Sequence, residues 1–187
     1  MKLKEVTAVT GEFFENNVAF IWKIVSDLGI EDESHVLDVG TGHGTMAIVL
    51  AAHGFKVTTG EPKDDKWADW KTPARELGLL DRINFTPFMA ENLPFPDRYF
   101  DAVFLYGALH HIEDKKGAIE EMCRVLKADG HLCLIELNEK AIRELKGRMR
   151  HHPDMVDPRD YTDQLQVDFE IKKHATATAY LGRKCKQ

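Results

Sequence analysis

The sequence is poor in several features that would each point to a function. Its three cysteines, Cys123, Cys133 and Cys185, stand far apart with no CxxC pair. Neither a disulfide framework nor a zinc ribbon is indicated, and a reducing, cytoplasmic setting is expected. Long apolar runs are missing too: no window approaches the ~20 residues a membrane helix needs, so no membrane partner is expected. Basic residues do not dominate. Lys and Arg number 25 against 31 Asp and Glu, for a net charge of -6 and a pI near 5.8. A protein that grips a phosphate backbone normally carries a basic face, so nucleic acid is not an expected partner. The one basic cluster, Arg183-Lys184-Cys185-Lys186, reads as a solvated end. Repeats and low-complexity linkers are absent as well.

What is present suits one domain spanning 1–187. With 43% apolar and 30% charged residues, the composition is that of an ordinary folded protein. From Glu12 to about Leu28, Phe13, Phe14, Val18, Ile21, Trp22 and Val25 recur at helical spacing. This makes 1–33 an N-terminal helical segment. From 34 to 137 strands alternate with helices. Strands are expected at 35–39, 55–59, 83–85, 99–106 and 131–137, and helices at 45–53, 63–79 (its second half starting near Pro73) and 115–126. That alternation calls for a parallel sheet with right-handed crossovers. The remainder, 138–187, reads as a helix to about Met149, a polar loop from His151 to Asp163, and strands at 165–171 and 175–181. So few residues join these two strands that they must pair antiparallel. The expected fold is α/β, a three-layer sandwich around a seven-stranded, mostly parallel sheet whose last strand is antiparallel.

The chemistry concentrates at Asp38-Val39-Gly40-Thr41-Gly42-His43-Gly44. A strand running into alternating glycines before a helix brings backbone N–H groups to the carboxyl edge of the sheet, where open α/β sheets bind ligands. The dinucleotide fingerprint G-x-G-x-x-G would need glycine at position 45, where Thr45 stands, and no Gly-Lys-Ser/Thr of a P-loop follows. Asp38 would repel a pyrophosphate but suits a ligand bearing an ammonium and a sulfonium. Seventeen residues after Gly44, Glu61 ends the second strand, placed to accept both hydroxyls of a ribose.

These residues resemble class I, Rossmann-like methyltransferases, especially the small-molecule subgroup that includes the quinone-biosynthesis C-methyltransferases. The likeness covers about Val36 to Glu136. It rests on Val36-Leu37-Asp38-Val39-Gly40-Thr41-Gly42-His43-Gly44, Ala90-Glu91-Asn92-Leu93-Pro94-Phe95-Pro96-Asp97, Phe100-Asp101, Ala108-Leu109-His110-His111-Ile112 and Arg124-Val125-Leu126-Lys127 in that order. The final hairpin is similar to the family's antiparallel seventh strand and its neighbour. The resemblance implies S-adenosylmethionine as cofactor. Asp38, Gly40, Thr41, Gly42, His43 and Gly44 would lie around its methionine portion, Glu61 and Pro62 at the ribose, Met89, Ala90 and Glu91 at the adenine, and Tyr106 and Gly107 near the methionine again. One position departs: the family commonly has Asp where Met89 stands. The contact to the adenine amino group is then lost or passes to Glu91.

The implied reaction is in-line methyl transfer to a small-molecule acceptor, with alignment and water exclusion as the protein's task. A general base is needed only if the nucleophile must lose a proton. His110 and His111 are the candidates, weighed against a role in capping the helix that follows. His151 and His152, near Asp154 and Asp157, offer no third spaced ligand, so no metal is expected. Trp67 and Trp70 read as packing. The Asn/Asp-Pro-Pro-Tyr/Phe motif typical of methyltransferases acting on base amines is missing; Leu105-Tyr106-Gly107-Ala108 stands there. No large insertion follows the fifth strand to build a lid. Cover is expected from the N-terminal helix (Phe13, Phe14, Phe20, Trp22), from the 151–163 loop, or from a second subunit in a homodimer. Two other functions fit parts of the pattern: a nucleotide-dependent oxidoreductase, and a catalytically silent S-adenosylmethionine-binding protein.

Overall fold

The run His35–Val39 forms the central strand β1 because its apolar residues can be covered on both faces: Val36, Leu37 and Val39 are each at most 2% exposed. The computed structural model describes residues 1–10, 15–63, 68–149, 151–165 and 167–183. Beside β1 lie β2 (Lys56–Gly60), β3 (Ile83–Phe85), β4 (Phe100–Tyr106), β5 (Leu126–Leu137), β6 (Phe169–Lys173) and β7 (Ala177–Gly182). They form one sheet in the order β3-β2-β1-β4-β5-β7-β6. Strands β1 to β5 run parallel, and β7 pairs antiparallel with both β5 and β6. The mostly parallel sheet with its last strand reversed is therefore present.

Alternation along each strand divides the core into two layers. Val36, Ala102, Phe104, Cys133 and Ile135 face one side, where α1 (Leu3–Thr10), α2 (Glu15–Asp27), α3 (Thr45–Ala52) and α4 (Lys71–Glu76) contribute Val6, Ile21, Met46, Ile48 and Ala74. Leu37, Val103, Leu105, Leu132 and Leu134 face the other, against Ile119 and Met122 of α5 (Lys115–Val125). Helix α6 (Glu139–Lys146) packs Ala141, Ile142 and Leu145 on Leu137 at the end of β5. Among the described residues no helix is long and apolar enough to cross a membrane.

Four elements differ in their bounds from the sequence reading. Of the helix expected over 63–79, the described residues carry α4, and residues 64–67, with Trp67, lie outside them. Trp70 is buried but precedes that helix; its Cβ lies 2.6 Å from where a Cβ on Gly44 would sit, so its burial answers to the glycine loop rather than to a helical face. Strand β5 begins at Leu126, five residues early. Phe100 pairs with Leu126 and Ala102 with His131, so residues 127–130 bulge out between the two pairings. The last two strands start at Phe169 and Ala177, later than expected.

At the switch point of the strand order, between β1 and β4, the core contains a carboxyl. Asp38 is fully buried; Thr59 Oγ1 donates to its Oδ2 at 2.8 Å, and its Oδ1 has no hydrogen-bond partner among the described residues. Burial pushes the Asp38 pKa up to about 8, opposed by the Thr59 hydrogen bond and reinforced by the negative charge of Glu61.

Two outcomes follow from this packing. A Cβ on Gly60 would stand 2.0 Å from the Thr86 carbonyl oxygen and 2.4 Å from the Phe88 ring. Gly60→Ala is expected to cost about 3 kcal/mol or more, lowering the thermal midpoint by about 6–12 °C; an unchanged midpoint in a circular-dichroism melt would show that the β2 edge yields freely. For Asp38, the folded state keeps a proton that the unfolded chain releases between pH ~4 and the folded value of about 8. Its contribution to stability is therefore lost as pH rises through that window. Asp38→Asn keeps an acceptor for Thr59 and abolishes the loss. Denaturant titrations should find the variant gaining more over the parent at pH 8 than at pH 5, and equal gains at both would contradict the buried titration.

Candidate functional site

The glycine loop is stapled to the end of β2. Gly40 and Thr41 both donate their N–H to the Gly60 carbonyl, at 3.2 and 3.3 Å, and Gly44 N–H donates to the Thr41 carbonyl at 2.7 Å. A hydroxyl chain runs beneath. Thr59 gives its proton to Asp38, so Thr41, 2.8 Å away, donates to Thr59. Across the top, Gly42 N–H donates to Glu61 Oε1 in a short hydrogen bond. The turn needs glycine for two different reasons. Gly40 and Gly44 have φ of 91° and 78°, and added Cβ atoms would meet Ala108 and Trp70 at 2.7 and 2.6 Å. Gly42, at φ 49°, has nothing within 4 Å of its Cβ direction and opens on free space. His43 beside it is exposed.

The expected adenine segment arrives at the same place. Phe88 N–H donates to the Glu61 carbonyl at 3.0 Å, setting Met89, Ala90 and Glu91 in a turn beside Glu61 and Pro62. That turn is closed by Asn92 N–H on the Met89 carbonyl at 3.1 Å. Met89 is 52% exposed, Ala90 and Glu91 half-buried. Arg124 of α5 then fixes the chain beyond it, donating to the carbonyls of Leu93 and Phe95, both at 2.9 Å, and to Asp97, while pairing with Glu121.

On the other side of the loop, β4 ends at Tyr106 and turns at Gly107, whose φ is 60°. Burial pushes the Tyr106 phenol up to about 12, and Asn17 Nδ2 donates to its oxygen at 3.0 Å. Asn17, fully buried, also accepts from Thr176 Oγ1 at 2.6 Å and meets His174 Nδ1 at 3.1 Å. No sequence pattern signalled Asn17, because its partners lie 89 to 159 residues away. Of the aromatics expected to provide cover, Phe13 and Phe14 lie outside the described residues. Phe20 stacks on His174 at 4.9 Å, and Trp22 packs on His53 at the far end of α3.

His110 and His111 follow in a short 3-10 turn, Leu109–His111. His110 is buried; its Nδ1 lies 2.6 Å from Glu136 Oε2, and the other Glu136 oxygen accepts from Leu109 N–H at 2.8 Å. His111 is exposed, and desolvation together with the neighbouring His110, His152 and Lys115 holds its pKa down at about 4. The sequence offers no third ligand spaced with His152. The fold brings His152 to His110 and His111, with one ligand atom from each within 4.8 Å of the others. Asp154 and Asp157, the partners weighed in the sequence, instead pair with Lys146 and Arg159.

The comparisons with known proteins bear on the same stretch. Residues 37–134 match the family model described as "Methyltransferase domain". The chain is similar to the ubiquinone/menaquinone biosynthesis C-methyltransferase UbiE of Pectobacterium atrosepticum, 30% identical over 130 residues, 67% of this chain and 52% of that protein. It is also similar to the enzyme of the same name from Rickettsia massiliae, 32% identical over 112 residues, 57% of this chain and 45% of the other. It thus spans about half the length of the curated relatives it matches. Among solved structures, a SAM-dependent methyltransferase from Aquifex aeolicus superposes with a TM-score of 0.70 at 16% identity, over 97% of this chain and 98% of that one, which speaks for the fold. An oxidoreductase reading loses its place: the segment from β1 to β5, glycine loop included, is that of the methyltransferase domain family, and to that family the chain belongs.

Proposed function

We propose that this protein transfers a methyl group from S-adenosylmethionine to a small-molecule acceptor by in-line displacement. The observation that carries the reading is the glycine loop pinned between β1 and β2, with Gly42 open to the crevice and Glu61 drawn over it. The residues fit the cofactor. The buried Asp38 has an oxygen without a hydrogen-bond partner and gains from a cation brought near it. Relatives named as C-methyltransferases support the same activity.

S-adenosylmethionine supplies a methyl group already activated on a sulfonium. The chain's own work is then binding, orientation and exclusion of water. Asp38, Gly40, Thr41, Gly42, His43 and Gly44 surround the amino-acid portion, with Tyr106 and Gly107 closing from β4. Glu61 holds the ribose hydroxyls beside Pro62. Met89, Ala90 and Glu91 border the adenine, Met89 offering its thioether to the ring face where an acid is commoner. A base acts only where the acceptor atom carries a proton, and His110 and His111 are the imidazoles beyond β4. In this reading the acceptor is a cytoplasmic small molecule rather than nucleic acid. Its cover comes from the 151–163 loop, which reaches His110 through His152, or from a second subunit.

Glu61→Ala removes the carboxylate from loop and ribose together. Calorimetry with S-adenosylmethionine should show binding weakened by about 2–3 kcal/mol, about 30- to 150-fold in Kd, with Glu61→Gln losing less. An affinity unchanged by Glu61→Ala would take this residue out of the site, and no binding to the parent at high micromolar cofactor would sink the function itself.

A further inference from the structure

We propose that His110, His111 and His152 form a binding site for a divalent transition-metal ion, of which zinc suits the donor set best. Three imidazoles from two separate segments offer ring nitrogens within 4.8 Å of one another. Three nitrogens on a tetrahedral zinc at ~2.05 Å stand about 3.3 Å apart, so the cluster needs to close by about 1.5 Å. Small rotations of the exposed His111 and half-buried His152 rings supply that movement.

The second observation is the way His110 is held. Its Nδ1 is bonded to the Glu136 carboxylate at 2.6 Å, while its Nε2, equally buried, has no hydrogen-bond partner among the described residues. A buried ring nitrogen without a partner carries a desolvation cost that calls for an explanation. A carboxylate that fixes one nitrogen of an imidazole so that the other presents its lone pair is the outer-shell arrangement of histidine metal ligands. Glu136 is itself fixed, its other oxygen taking the Leu109 N–H. His152 repeats the pattern with a neutral acceptor: its Nδ1 lies 3.0 Å from the Pro153 carbonyl, which leaves Nε2 as the lone-pair donor. Lys115 is the nearby opposing charge, and its ammonium is tied to the Ile112 carbonyl at 2.6 Å.

Neutral imidazoles select zinc, copper, nickel or iron over magnesium or calcium. Three protein ligands leave a further position for water or for an oxygen or sulfur atom of an acceptor, whose proton the ion makes more acidic. The site does not depend on the methyl-transfer reading; with the ion bound, His110 and His111 are its ligands and neither serves as the base.

Tag-free full-length protein, stripped with a chelator, is titrated with Co2+ and followed by visible absorption, then with Zn2+ in competition. One equivalent of Co2+ with ligand-field bands of low coordination number, displaced by Zn2+, is expected. His152→Ala should weaken binding at least 100-fold, and Glu136→Gln about 10- to 100-fold. His151→Ala, altering the exposed neighbour, should leave binding unchanged, with circular dichroism confirming that every variant folds. Absence of saturable one-equivalent binding overturns the site, as does binding that survives His152→Ala or falls equally with His151→Ala.

Discussion

The carbonyl of Gly60 accepts from two successive N–H groups of the loop after β1, and much of the site's geometry follows from that shared acceptor. It ties the ends of the two strands together at the carboxyl edge, so the loop cannot move away from β2. Gly60 itself has no room for a side chain, since Thr86 and Phe88 press against it. Phe88 leads directly to the turn at Met89, and Glu61 follows Gly60 in the chain. One crowded peptide thus sets the relative positions of the glycine loop, the acid beside it and the segment expected at the adenine. The hydroxyls of Thr41 and Thr59 carry the same coupling down to Asp38.

Asp38 shows the cost of placing a carboxyl in a sheet core. A carboxyl in that position is shielded from water on all sides, and its one donor among the described side chains is a threonine. Left alone it prefers to hold its proton. A cationic ligand nearby would favour the ionised form, so the free protein carries an electrostatic penalty that binding can relieve.

Local features were legible in the sequence. β1, the glycine loop and the reversed final hairpin all follow from runs, spacings and short connections, and the structure has them. What the sequence concealed depends on residues meeting across long separations. Trp70 reads in the sequence as one side of a helical face, yet it precedes α4 and stands against Gly44, a contact 26 residues away in sequence. The early start of β5 comes from a bulge that only pairing with β4 defines. Asn17's contacts and the meeting of His152 with His110 and His111 were hidden for the same reason: the topology alone brings these residues together.

The hub at Asn17 has a bearing on how such a chain can diversify. The stretch shared with the family ends at residue 134 and begins at 37, yet Tyr106 inside it is held by Asn17 from before it, and Asn17 is in turn held by His174 and Thr176 from after it. His152 likewise reaches His110 from beyond its limit. The shared stretch holds the glycine loop and its acids almost entirely with its own residues, whereas the ground beyond β4 is shaped by the two flanks. Substitutions in the flanks can therefore reshape the ground beyond β4 while the hydrogen bonds that hold the glycine loop stay as they are.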